Sequence, residues 1–239
     1  MMKIEAGERQ CEDSFDLAHS LYIDEADSVF VLSHRGHVIM KFDRDGELML
    51  TLGDRGHPSD TGYTKEGRVP ASAWASGGGL PIVNGVGHAG PPFNQSTDVA
   101  VAPGGDIFVS DGYRNCRVHK FDPHGRLLKS WGEPGNAKDL RNTTDGPGLF
   151  HTPHGIWVEG EHVFVLDREN NRIQIFTTDG EFVSILDLDG NLLGRFGSER
   201  SNAPGKFWGS HCIWVDSQGD LYVGEVLEGQ RLQKFARCK

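Results

Sequence analysis

The sequence predicts an all-β fold, a β-propeller with four recognisable blades plus an orphan hairpin, and three observations predict it. Glycine supplies 32 of 239 residues without collagen periodicity, which signals many tight turns between short strands. Four strand cores recur, Val29-Phe-Val-Leu, Ile107-Phe-Val-Ser, Val163-Phe-Val-Leu and Leu221-Tyr-Val-Gly, each closed downstream by an aromatic strand end at Phe42, Phe121, Phe176 or Phe235. A strand rich in β-branched residues precedes each core. Such self-similar units of about 40 residues, with up to four antiparallel strands, are propeller blades. Because one blade cannot bury both faces, the blades pack around an axis, and the first strand of each lines the central channel.

Taken in order, the first unit covers residues 15–52 and contains Leu21-Tyr-Ile-Asp, the first core and the turn Phe42-Asp-Arg-Asp-Gly-Glu-Leu. The glycine of that turn supplies the positive φ of a tight hairpin. Residues 53–92 have blade length but loop composition, including Ser76-Gly-Gly-Gly-Leu-Pro, and read as a long insertion. The second unit, 93–132, contains Val99-Ala-Val-Ala and the turn Phe121-Asp-Pro-His-Gly-Arg-Leu. A shorter insertion with Gly146-Pro-Gly fills 133–149. The third unit, 150–183, contains Ile156-Trp-Val-Glu and Phe176-Thr-Thr-Asp-Gly-Glu-Phe, and the fourth, 207–236, contains Ile213-Trp-Val-Asp. Between them, Leu186-Asp-Leu-Asp-Gly-Asn-Leu repeats the hairpin signature too soon after Gly180 to hold another blade. It reads as the orphan hairpin, 184–197, within one domain spanning 1–239. An open edge at that gap is an association hazard, so a homo-oligomer formed through it is expected.

Charge and composition exclude some classes. With 24 basic against 34 acidic residues, the net charge of −10 disfavours nucleic acid, whose binding relies on clustered Lys and Arg. No run approaches the roughly 18 consecutive apolar residues of a membrane span, and Met1 to Gln10 lacks the apolar core of a secretory signal, so a cytoplasmic chain away from membranes is expected. Cys11, Cys116, Cys212 and Cys238 form no CxxC pair and read as reduced, buried thiols.

Aligning the units brings His19, Thr97, His154 and His211 to one position just before the inner strand. Three imidazoles projected into one channel supply the three neutral nitrogen ligands of a catalytic zinc with a fourth place open. The alternative is that they cap the strand entrance and bond backbone. A second layer comes from the turn after the second strand, where Asp111 and Asp167 read as structural turn residues. Arg35, Tyr113 and Arg168 share the histidine end of the channel and offer a phenol and two cations. His37, His57, His88, His119, His124, His151 and His162 fall outside the repeat frame and read as surface or loop residues.

Pro153-His-Gly, Asp167-Arg-Glu-Asn-Asn-Arg-Ile-Gln-Ile-Phe and Asp111-Gly-Tyr-Arg-Asn-Cys-Arg-Val resemble NHL-type repeats. Together with Ser110-Asp-Gly-Tyr and Trp131-Gly-Glu-Pro-Gly, they make the chain similar to the peptidylamidoglycolate lyase family over most of residues 15–236. That resemblance implies a zinc-dependent lyase that cleaves the N–C bond of a peptidyl-α-hydroxyglycine to an amide and glyoxylate. It implies zinc ligands at His19, His154 and His211, a catalytic tyrosine at Tyr113, a substrate-binding arginine at Arg168 and an arginine next to the metal at Arg35. The family's calcium site uses an acidic side chain directly after the last zinc histidine, where this chain has Cys212, so calcium is not carried over.

The first reading is therefore a zinc-dependent carbon–nitrogen lyase acting on a peptide or on a small carbinolamide such as ureidoglycolate. A non-catalytic NHL propeller that binds a protein partner is the second. A calcium-dependent lactonase or esterase is the third, and it calls for carboxylate and Asn ligands rather than three histidines.

Overall fold

The computed structural model describes residues 15–64, 85–135, 146–186, 192–193, 206–226 and 229–236. It is a four-bladed β-propeller arrangement in which each blade is a meander of antiparallel strands. Blade one is β1 (Ala18–Ile23), β2 (Val29–Ser33), β3 (Val38–Phe42) and β4 (Leu48–Gly53). Blade two is β5 (Asp98–Val101), β6 (Ile107–Asp111), β7 (Arg117–Phe121) and β8 (Leu127–Trp131). A short parallel pair, β9 (Glu133–Pro134) with β10 (Leu149–Phe150), leads into blade three. That blade contains β11 (Pro153–Glu159), β12 (His162–Asp167), β13 (Arg172–Thr177), β14 (Phe182–Leu186) and β15 (Leu192–Leu193). Blade four has three strands among the described residues, β16 (Ser210–Val215), β17 (Leu221–Glu225) and β18 (Leu232–Phe235). No helix among the described residues is long and apolar enough to cross a membrane.

The hairpin expected to stand alone does not. Its first arm is β14, the fourth strand of blade three, and β15 extends the same sheet as a fifth strand through the pairs Ile185↔Leu193 and Leu186↔Leu192. The physical reason is that β13 presents a free edge whose backbone groups β14 satisfies, as β4 and β8 do in the first two blades. The turn containing Gly190 lies outside the described residues, as do Ser76 to Pro81, Cys11 and Cys238. Of the other two thiols, Cys116 is buried, whereas Cys212 is exposed, with the same parity along its strand as the exposed Trp214.

Three hydrophobic cores cement three blade interfaces. Phe30, Leu32, Ile39 and Leu52 of blade one meet Phe93, Val99, Ile107 and Val109. Phe108, Val118 and Trp131 of blade two meet Phe150, Ile156, Val165 and Phe176 of blade three. Leu166, Ile173 and Ile175 meet Phe207, Ile213 and Val223 of blade four. Each fully buried aliphatic or Phe side chain contributes roughly 1.5–3 kcal/mol. Among the described residues no such core joins blade four to blade one. The outer face of blade one holds only a small cluster around Val38, Met40 and Phe42. The inner strands accordingly pack β1 on β5, β5 on β11 and β11 on β16, while β16 and β1 make at most marginal contact.

One local rule repeats in all four blades. Two residues before each aligned histidine or threonine the backbone turns left-handed, at Leu17 (φ 58°), Gln95 (φ 59°), Thr152 (φ 64°) and Gly209 (φ 79°). One residue earlier still, a backbone N–H donates to the polar residue that ends the second strand. The pairs are Asp16 to Ser33, Asn94 to Asp111, His151 to Asp167 and Trp208 to Glu225. Asp111 and Asp167 are thus structural, as their turn position suggested, although the backbone they hold belongs to the loop entering the inner strand.

Candidate metal centre

His19, His154 and His211 are each the extra residue of a β-bulge. In β1 the register passes from Ala18↔Ser33 to Ser20↔Leu32, in β11 from Pro153↔Asp167 to Gly155↔Leu166, and in β16 from Ser210↔Glu225 to Cys212↔Gly224. A bulge leaves one residue unpaired and re-aims its side chain, here into the channel. The three imidazoles converge so that their ligand atoms all lie within 4.8 Å of one another, the group of three metal-ligating side chains found among the described residues. Ring centroids are 5.1 Å apart for His19 and His154, 5.7 Å for His19 and His211, and 4.1 Å for His154 and His211.

The hydrogen bonds of the rings bear on both readings of the histidines. His19 Nδ1 lies 2.8 Å from the Thr97 carbonyl and His154 Nδ1 lies 2.9 Å from the His211 carbonyl. A carbonyl only accepts, so each Nδ1 donates and each Nε2 presents its lone pair to the channel. This is the outer hydrogen bond that orients a metal-ligating imidazole. The residues present therefore fit a tetrahedral zinc with an open position. The surroundings favour the neutral form of all three rings. Burial lowers His19, with the Arg168 charge adding to it, and lowers His154 far more, with Arg168 and His211 next. Burial and then His19 bring His211 down to about 4.

Tyr113 reaches the cluster from the turn after β6. Its hydroxyl is 3.0 Å from His154 Nε2 and 3.4 Å from His19 Nε2. Gly112 makes this reach possible, since a Cβ there would lie 1.9 Å from the Pro153 carbonyl oxygen of the next blade. Arg168 is buried and lies over the Tyr113 ring at 5.2 Å, and its Nη1 donates to the phenol oxygen at 3.4 Å. Its Nε and Nη2 both lie 2.9 Å from Glu169 Oε1. Burial opposes the Arg168 charge, but Glu169 and then Tyr113 hold it above its usual range.

Arg35 is the sequence candidate that the structure leaves apart. Its side chain is exposed, while the preceding residue, His34, is buried against the site. The His34 ring stacks on His19 at 5.2 Å and meets Tyr113 edge-on at 4.7 Å, with Nδ1 3.0 Å from the Ser96 carbonyl. The signal for His34 was present. Counting one residue past Ser33, as Arg168 stands one past Asp167, arrives at His34 rather than Arg35. Three of the histidines expected at the surface or in loops are also buried. His37 and His151 are buried in the loops around the channel mouth, and His119 is enclosed between Asp111 and Ser130.

Residues 93–121 and 150–176 match the NHL repeat. The chain is similar to the peptidylglycine alpha-amidating monooxygenase of Rattus norvegicus, 45% identical over 95 residues that cover 38% of this chain and 9% of that protein. It is also similar to peptidyl-alpha-hydroxyglycine alpha-amidating lyase 1 of Drosophila melanogaster, 29% identical over 176 residues, 71% of this chain and 27% of that one. The chain thus spans well under a third of the length of these two relatives. Among solved structures, Kuenenia stuttgartiensis hydrazine synthase superposes on 93% of this chain and 47% of its own with a TM-score of 0.52 at 13% identity, a likeness of fold alone.

Proposed function

The chain is an NHL-repeat β-propeller that resembles peptidyl-α-hydroxyglycine α-amidating lyases, and from that premise we propose that it is a zinc-dependent lyase releasing glyoxylate from an α-hydroxyglycine-type carbinolamide. The observation that carries this reading is the convergence of three neutral imidazoles within 4.8 Å, with the Tyr113 hydroxyl 3.0 Å from one ligand nitrogen. His19, His154 and His211 would hold the ion, which supplies a Lewis acid that acidifies the carbinol hydroxyl of the substrate.

The protein side chains account for the proton. Tyr113 stands within hydrogen-bond reach of the ligand nitrogens and so of a hydroxyl placed beside them, which suits it to take that proton. Arg168 fixes the phenol and places positive charge beside the oxygen that would carry the negative charge. As the hydroxyl proton leaves, the C–O bond becomes C=O, the C–N bond breaks, and Tyr113 returns the proton to the departing nitrogen. The products are an amide and glyoxylate, with atoms balanced and no oxidant required. The buried rings of His34 and His154 flank Tyr113 and limit water at the phenol.

The experiment is metal analysis of untagged protein purified without chelator, followed by a glyoxylate assay on an N-acyl-α-hydroxyglycine and, separately, on ureidoglycolate. One zinc per chain with glyoxylate from either compound supports the reading. Zinc-loaded protein inactive on both removes it in favour of a partner-binding propeller.

A further inference from the structure

Arg168, which lies over the Tyr113 ring, and Arg114, the next residue along the chain from Tyr113, differ in whether their charge is already answered. Arg168 is locked to Glu169 and to the phenol. Arg114, the residue after Tyr113, has no ion pair and no side-chain hydrogen bond among the described residues. Its guanidinium lies 4.5 Å over the Tyr63 ring. Its Nε is sealed from solvent without a partner, while the side chain as a whole is partly exposed, so the Nη edge is the part that remains open.

The support under this cation is built. The Thr61 hydroxyl donates to the Arg114 carbonyl at 2.6 Å, and Asn94 Nδ2 donates to the Ser59 carbonyl at 2.9 Å and to Thr61 Oγ1 at 3.2 Å. These bonds pin the start of the 53–92 insertion beside the channel mouth, with Tyr63 beneath Arg114. The charge reaches the wall of the site: after burial and the neighbouring groups, Arg114 lowers both His34 and His37. His37 adds a second donor, because the Gln95 N–H donates to its Nδ1 at 3.1 Å and the ring proton of the neutral form must sit on Nε2. A planar cation stacked on an aromatic ring with a free edge is arranged for bidentate recognition of a carboxylate.

We propose that Arg114, stacked on Tyr63, recognises the carboxylate of the substrate. This rests on the lyase reading for what the substrate is. An N-acyl-α-hydroxyglycine carries its carboxylate on the carbon that bears the hydroxyl, and so does ureidoglycolate. A cation held on Tyr63 beside the channel mouth, with its charge felt at His34, therefore serves either one, and it selects acids over their neutral amides. Thr61 and Tyr63, among the described residues of the insertion, on this account supply the wall against which the recognising arginine is held.

The test uses N-benzoylglycine, which has the carboxylate but no carbinol hydroxyl and cannot be cleaved, against its carboxamide. Calorimetric titration of zinc-loaded wild type should show the acid binding about tenfold or more tightly than the amide, the size of one charge-assisted pair. Arg114→Gln should lose that preference with zinc content unchanged and melting within a few degrees, and Arg114→Lys should retain part of it. An undiminished preference in Arg114→Gln, or no preference in wild type, overturns the proposal. The glyoxylate assay separates the two readings, since wild type that prefers the acid but releases no glyoxylate loses the lyase function and keeps the carboxylate site.

Discussion

The phenol oxygen of Tyr113, from blade two, stands 3.0 Å from Nε2 of His154, from blade three. With His154 Nδ1 committed to the His211 carbonyl, Nε2 accepts, and the phenol donates to the nitrogen that a metal would use. The catalytic candidate and the ligand candidate are therefore neighbours across a blade interface, and a bound ion would displace this hydrogen bond rather than leave it intact.

Tyr113→Phe should consequently leave zinc content and melting temperature unchanged while lowering glyoxylate release by about 10²- to 10⁴-fold, the usual contribution of an acid–base group. An unchanged rate would remove Tyr113 from the chemistry. Arg168→Ala should lower kcat rather than raise KM, because its contacts here are to Tyr113 and Glu169.

Metal removal should destabilise the fold as well as silence it. His19 is on blade one and His211 on blade four, the two blades that share no hydrophobic core among the described residues, so an ion bridging them closes the ring. Free zinc at 100 times its dissociation constant adds about 2.7 kcal/mol to stability, or roughly 5 to 10 °C in melting temperature for a chain of this size. Chelation should reverse that shift, and His211→Ala should abolish it. A melting temperature indifferent to zinc would show that the cluster holds none.

Much of this site was legible because a propeller repeats. Once the strand cores were aligned, His19, His154 and His211 fell at one position, and the structure brings them together. The bulges were not legible, since an extra residue in a strand changes no composition and shows only as a register shift. That one-residue uncertainty is also why the sequence points to Arg35 at the histidine end of the channel while His34 is the residue packed against the site, because neighbouring residues leave the chain in different directions. His119 reads in sequence as a surface or loop residue because its partners, Asp111 and Ser130, 8 and 11 residues away, meet it only through pairing of the flanking strands.

Gly112→Ala should be among the most damaging single-methyl changes. The added Cβ would lie 1.9 Å from the Pro153 carbonyl oxygen and 2.8 Å from its carbonyl carbon, and both are backbone atoms that cannot swing aside. Blades two and three would have to separate directly behind Tyr113 and His154. A loss above about 2 kcal/mol is expected from overpacking of this kind, read by urea unfolding. Wild-type stability in the variant would mean that the two blades do not approach so closely.

Leu17→Gly should do the reverse. Leu17 is 52% exposed and sits at φ 58°, where a side chain is strained and glycine is not. Relief of about 1–2 kcal/mol, partly offset by the greater freedom of glycine in the unfolded chain, leaves a net gain of roughly 0.5–1 kcal/mol. A lower melting temperature would show that Leu17 packs on something that repays its strain.

Asp98 supplies a pH-dependent prediction outside the ligand set. On β5 its carboxylate accepts from the Ser20 hydroxyl of blade one at 2.5 Å, from the Ile156 N–H of blade three at 3.0 Å and from the Val99 N–H at 2.9 Å. Burial outweighs those three donors and pushes the carboxyl from 3.8 up to about 6. A folded-state value above the unfolded one means that the native protein binds this proton more tightly. The stability it contributes is therefore full below about pH 4 and is lost as pH rises through 6. Asp98→Asn removes the titration while keeping the shape, although its amide can accept from only one side. The variant is thus expected to be less stable than wild type near pH 4 and to recover relative to it up to about pH 6.5. Thermal melts of both proteins at fixed ionic strength across that window measure the difference. A constant gap from pH 4 to 6.5 would show that Asp98 titrates with its ordinary carboxylate value and that its enclosure among the three inner strands does not disfavour its charge.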